Sequence, residues 1–123
     1  MVAEIAPTEP QPVIVAGVHK PVEEWDALLQ KHFGEEWRQA KKVMLCESGG
    51  RESAHGDRHL TYWQNGREYG SSAGLFQIRD LPGRPEQGWL MQGENNITYA
   101  AGMYRRQGHW GAWTCARKLG FVN

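Results

Sequence analysis

Long apolar runs are missing from this 123-residue chain. No stretch approaches the roughly 18 consecutive apolar residues that a membrane-spanning helix needs. An excess of charge is missing as well. Fourteen basic and fourteen acidic residues cancel, which argues against a strongly basic nucleic-acid binder and leaves only a local patch open. Cysteine is scarce: Cys46 and Cys115 stand far apart and no CxxC pair occurs. Thioredoxin chemistry and a zinc knuckle therefore lack support, and two free thiols or one long-range disulfide remain as alternatives. A basic n-region is absent too. The short apolar stretch Val13–Val18 follows acids and prolines, so it does not read as a signal peptide. No internal repeat is visible.

What is present suits one folded domain. Hydrophobic residues make up 40% of the chain and charged ones 23%, too apolar for disorder. A chain of this size can bury about two-thirds of its unfolded surface. Residues 1–20 hold Pro7, Pro10 and Pro12 and read as a linker or extended arm, leaving 21–123 as the domain. Six Trp supply large flat faces for packing or stacking.

Helical periodicity starts at Pro21. Val22, Trp25, Leu28, Leu29 and Phe33 form one stripe, and Gly34 suits the stop. A second helix is expected from about Glu35 to Ser48, with Trp37, Ala40, Val43, Met44 and Glu47 in one arc. Residues 49–74 read as loop with one hairpin, in which Asn65-Gly66 joins the strand-like runs around Tyr62-Trp63 and Arg67–Tyr69. Prolines and glycines over 79–93 mark an irregular loop. A third helix is expected from Glu94 or Asn95 to Arg106, stopped by Gly108, and a short last one from Trp110 to Lys118. His55 and His59 have HxxxH spacing, but Gly56 and the neighbouring turn residues argue against the helix that would align them as metal ligands.

Glu47 is the local anomaly, a carboxylate on an apolar helical face. Burial disfavours its charged form and raises its pKa. A carboxylic acid still protonated near neutral pH is what glycosidic bond cleavage needs as general acid. The plain alternative is a helix cap or a pair with Arg51.

Four motifs stand in one order: Cys46-Glu47-Ser48-Gly49-Gly50, Gly74-Leu75-Phe76-Gln77-Ile78, Asn96-Ile97, and Gly108-His109-Trp110-Gly111-Ala112-Trp113 ahead of Cys115. Over about residues 22–119 this resembles the lysozyme-like superfamily, in particular the soluble lytic transglycosylase-like domains, with similarity to the actinobacterial branch that holds the resuscitation-promoting factors. The resemblance implies a mainly α, α+β fold, with helices around a core and a small β-hairpin beside the active-site cleft. It implies Glu47 as catalytic acid, Ser48, Ser72, Gln77 and Asn96 as polar residues of the glycan site, and a disulfide between Cys46 and Cys115. Tyr62 and Tyr99 join them as candidate glycan-binding aromatics. Read plainly, Ser72 can equally be a turn residue, Asn96 a helix cap and Tyr99 a core residue. Tyr104, Trp110 and Trp113 read as core.

The implied activity is cleavage of the β-1,4 bond between N-acetylmuramic acid and N-acetylglucosamine, as a lytic transglycosylase forming 1,6-anhydro ends. A hydrolytic lysozyme, with Asp57 or Glu52 as second carboxylate, and a non-catalytic wall-binding module of a phage tail or secretion machine are the rivals. The expected partner is the peptidoglycan glycan strand. No nucleic acid, membrane insertion, metal or cofactor is implied, and a monomer is expected. The setting is extracellular, the cell envelope or a virion, the oxidising kind in which disulfides persist.

Overall fold

The computed structural model describes residues 22–122. The 1–20 arm lies outside the described residues. A 3-10 turn, Val22–Trp25, leads into α1, Asp26–Phe33. Gly34 takes a positive φ of 61° where the chain turns. A second 3-10 turn, Gly34–Glu36, leads into α2, Trp37–Ser48, which ends with Gly49 in the left-handed region. The two expected helices thus form, each with a tightened first turn.

The stretch expected as loop holds more strand than its sequence suggests. β1, His55–Gly56, is followed by the hairpin strands β2, Tyr62–Gln64, and β3, Arg67–Tyr69. Asn65 and Gly66 both have positive φ, as a two-residue hairpin turn of this kind requires. β4, Ser72–Ala73, and β5, Ile78–Arg79, then form a second sheet in the order β1-β4-β5, all antiparallel. The irregular loop over 79–93 contains a single helical turn, α3, Gln87–Leu90. α4 runs Gly93–Gln107 and stops at Gly108 as expected. α5 is shorter than expected, Thr114–Lys118, because Trp113 has extended backbone (φ −112°, ψ 123°). The molecule is mainly helical with small antiparallel sheets, an α+β fold.

The core joins the helices to the loop between β4 and β5. Leu29, Val43, Met44, Leu75, Phe76, Ile78, Leu90 and Ile97 are buried together. Each such side chain contributes about 1.5–3 kcal/mol by leaving water. Phe33 lies between Phe76 and Trp110, with ring centroids 5.4 and 5.5 Å away, and Tyr104 and Trp113 complete the aromatic cluster around Trp110. Trp110 and Trp113 are core residues, as read. Trp37 packs against the edge of this core. It is half-buried at the start of α2, carries the Arg38 guanidinium 4.7 Å above its ring, and opens onto a surface groove with Lys41, Lys42 and Leu45. Ten residues at 1.5 Å rise put it about 15 Å from Glu47 along the helix, too far to desolvate that carboxyl.

Among the described residues no helix is long and apolar enough to cross a membrane. His55 falls on a strand and His59 on a 3-10 turn, so the pair shares no helical face. No group of three or more His, Cys, Asp or Glu among the described residues is arranged to hold a metal ion.

Candidate active site

α2 delivers Glu47 to the last turn of the helix, half-buried. The chain beyond it is pinned from several sides. The Ser48 hydroxyl donates to the Met44 carbonyl (3.1 Å) and accepts from the Gly50 N–H (3.1 Å). The Trp25 indole N–H donates to the Gly50 carbonyl at 3.0 Å. The carboxyl itself is held from α5, whose Cys115 N–H donates to Glu47 Oε2 at 3.3 Å. Cys115 is also bonded to Cys46, with Cα atoms 5.9 Å apart across a sequence separation of 69. The disulfide and the hydrogen bond therefore fix α5 against the residue before Glu47 and against Glu47 itself.

Burial pushes the Glu47 carboxyl above the ordinary glutamate range. The Cys115 N–H opposes that by stabilising the anion. Asp57 adds to the rise by its negative charge, and Lys118 opposes it. The burial effect wins, so the proton is retained to higher pH than on a free glutamate.

Asp57 enters through sheet pairing. Gly56 on β1 lies opposite Ser72 on β4, and the Ser72 hydroxyl donates to Asp57 Oδ2. Asp57 has a positive φ of 54°, a strained conformation for a side-chain-bearing residue that tends to occur at functional sites. Gln77 is a second such residue, with φ of 48°. Its amide donates to the carbonyls of Ala54 (3.1 Å) and Gly74 (2.9 Å), which leaves Oε1 facing Gly56. A Cβ at Gly56 would sit 2.4 Å from that oxygen, so only glycine lets the Gln77 side chain lie there.

Asn96 is the deepest polar residue. Its Oδ1 accepts from the Phe76 N–H (2.7 Å), and its Nδ2 donates to the Ala73 and Leu90 carbonyls (2.9 and 2.8 Å). Gly74, at φ 81°, passes so close that a Cβ would come within 2.2 Å of Asn96 Nδ2 and of the Leu90 carbonyl oxygen. One buried amide thus ties β4, the turn after it and α3 to the first turn of α4.

These positions correct part of the sequence reading. Ser48, Ser72 and Asn96 were expected to bind glycan. Their exposures are 3%, 1% and 0%, and their polar atoms bond within the protein. Their hydrogen bonds hold the end of α2, Asp57 and the turn after β4. Gln77 is half-buried beside them. Tyr62 is exposed on the hairpin and stacked on Tyr69, with centroids 6.0 Å apart, while Trp63 points to the other face and is 72% exposed. Tyr99 is half-buried against the core edge, with Arg106 6.0 Å from its ring centre. No hydrogen bond or ring contact joins Tyr99 to the Glu47 cluster among the described residues. Glu52, a candidate second acid, accepts the Gly93 N–H at the start of α4 with Oε1 (2.9 Å).

Two concavities adjoin this frame. One, about 340 Å³, is lined by His55, Arg58, Thr61, Glu68, Ser71 and Gln87, so that His55 and Arg58 flank Asp57 in sequence. His55 Nε2 is buried there without a hydrogen-bond partner among the described residues, and burial together with Arg58 lowers the imidazole pKa against the opposing pull of Glu68. The other, about 290 Å³, lies between β5 and the α4–α5 connection and includes Gln77 and Trp113.

Compared with protein families, curated proteins and solved structures, the chain matches none.

Proposed function

We propose that the protein cleaves the glycan strands of peptidoglycan at the bond between N-acetylmuramic acid and N-acetylglucosamine, with Glu47 as its acid and then its base. The observation that carries the reading is the Glu47 carboxyl, half-buried at a helix end, held by one backbone N–H and with its pKa raised by burial. Its surroundings are consistent with a strained, pre-organised site, in which Asp57 and Gln77 have left-handed backbone and a buried amide braces the loop between them. The order of the four motifs supports the same substrate.

In the reaction the protonated Glu47 carboxyl gives its proton to the glycosidic oxygen as the C1–O bond breaks. The resulting carboxylate then removes the proton from the C6 hydroxyl of the muramoyl residue, whose oxygen bonds to C1. The product is a 1,6-anhydro end, formed without water.

A hydrolytic outcome is the second reading, and Asp57 favours it. Its charge is close enough to raise the Glu47 pKa, and the one hydrogen bond to its carboxylate among the described residues comes from Ser72. A second carboxylate facing the acid is the arrangement that activates or replaces water in glycoside hydrolysis. Asp57→Asn separates the two readings. It stops a hydrolase and spares a transglycosylase, while Glu47→Gln stops both. Wall lysis by folded Glu47→Gln within about tenfold of the parent rules out the proposal, since a lost general acid costs about 10²–10⁴ in rate.

A further inference from the structure

Two arginines in the smaller concavity have no counter-charge among the described residues. Arg79 ends β5, and Arg84 follows in the next loop; both are half-buried. Arg79 Nε donates to the Gly70 carbonyl (2.9 Å), and Arg84 Nη1 reaches the Arg79 carbonyl at a long 3.4 Å. Each guanidinium has five N–H groups, so most of their donors are unspent. The acid next in sequence, Asp80, is unavailable: it is buried and takes the Arg67 Nη2 on both carboxylate oxygens at 2.9 Å. No carboxylate pairs with Arg79 or Arg84 among the described residues. Leu81, Met103 and Trp113 supply apolar wall beside them, and Gln77 completes the lining.

We infer that this concavity binds the acidic peptide stem carried by the muramoyl residue, with Arg79 and Arg84 on a stem carboxylate and the stem's aliphatic part on Leu81, Met103 and Trp113. The inference rests on the glycan-cleaving reading and names the part of the substrate that reading leaves unassigned. Charge decides the ligand class: two guanidinium groups without an anion match a carboxylate, which each can meet with paired N–H donors. Volume limits how much enters. About 290 Å³ is at the lower edge of the usual ligand-pocket range of about 300–1,000 Å³, so the pocket takes the first residues of a stem and not the whole. Position ties it to the chemistry. Gln77 lines this pocket and bonds the Ala54 and Gly74 carbonyls, and Trp113 stands two residues before Cys115, whose N–H holds the Glu47 carboxyl. A stem seated here would position the sugar that bears it.

The test compares soluble glycan chains with stems, chains stripped of stems by an amidase, and chitin oligomers. Stripped chains keep the lactyl carboxylate, whereas chitin has none. The expected result is that Arg84→Glu lowers kcat/KM on stem-bearing chains at least about tenfold more than on stripped chains, and that Arg84→Lys recovers part of the loss. Equal losses on the two chains would assign the arginines to the lactyl group and overturn the stem assignment. Calorimetric titration with a synthetic stem tripeptide provides an arm that needs no catalysis. Binding to the parent and to Glu47→Gln, lost in Arg84→Glu, supports the pocket even if no glycan is cut, in which case only the cleavage reading fails. No heat from the parent at up to about 10 mM peptide, weaker than about 3 kcal/mol of binding, overturns the pocket while leaving cleavage standing.

Discussion

Replacing Asn96 with alanine tests whether this residue braces the site or contacts the substrate. The substitution removes three buried hydrogen bonds at once, one accepted from the Phe76 N–H and two donated to the Ala73 and Leu90 carbonyls. The site is fully enclosed, so water cannot take over without opening the turn after β4. An orphaned buried N–H costs about 1–3 kcal/mol. The two carbonyls suffer less, because an oxygen with two lone pairs tolerates partial satisfaction better. The expected loss is about 3–4 kcal/mol, a large part of the roughly 5–15 kcal/mol by which a domain is stable. Asn96→Asp should be no better near neutral pH, since it retains the acceptor for Phe76, loses both donors and encloses a charge. Urea unfolding monitored by tryptophan fluorescence, with m-values compared to the parent, measures the change. A loss under about 1 kcal/mol would refute the bracing role.

Three further perturbations check the electrostatics, the cross-link and the hairpin. Because burial raises the Glu47 pKa, the folded state holds its proton to higher pH than the unfolded state. Stability therefore falls as pH rises from the unfolded value of about 4.3 through the folded one, and stays reduced above it. Glu47→Gln should match the parent in acid and be more stable at neutral pH in denaturant titrations; equal stability at both pH values contradicts the burial. The same raised pKa sets the alkaline limb of the rate on a soluble glycan, and an activity limb at or below the free-glutamate value of about 4.3 would contradict it. Removing the disulfide with Cys46→Ser and Cys115→Ser should cost about 4 kcal/mol in the chain-entropy model for a loop of this length, and should loosen the Cys115 N–H from Glu47. Thermal melts and wall lysis of the double variant read the two effects, and an unchanged melting temperature would contradict the cross-link's role. Trp63→Ala, at a 72% exposed position, should change stability by less than about 0.5 kcal/mol. Weakened sedimentation with purified wall would assign the hairpin to glycan binding, and unchanged sedimentation would exclude Trp63 from it.

Local signals in the sequence marked the elements that local chemistry controls. Gly34 and Gly108 stop helices where the apolar stripes end, and Asn65-Gly66 makes the hairpin turn, since each acts through its own backbone preference. The β1-β4-β5 sheet left no such trace. Its strands are two residues long, too short for alternation to be visible, and β1 pairs with β4 across 16 residues or more of chain. α3 is one turn among prolines and glycines, and α5 starts late because Trp113 packs in extended form to bond the Phe76 carbonyl. At the site, Glu47 was legible as a carboxylate on an apolar stripe. The roles of Ser48, Ser72 and Asn96 were not, because their polarity suggests contact with a ligand and their actual partners belong to other segments or to the helix end itself. Asp57 acquires its place only through the pairing of Gly56 with Ser72, and Arg79 and Arg84 stand out only once Asp80 is seen to belong to Arg67.

Mass spectrometry of the muropeptides that the parent protein and folded Glu47→Gln release from purified cell wall tests the central claim most directly. The parent should release disaccharide-peptides with 1,6-anhydro ends, and Glu47→Gln should release none. Reducing ends in place of anhydro ends would move the protein to the hydrolytic reading with Asp57. No release by the parent, or equal release by the two proteins, would contradict the assignment of Glu47 as the acid that cuts the glycan.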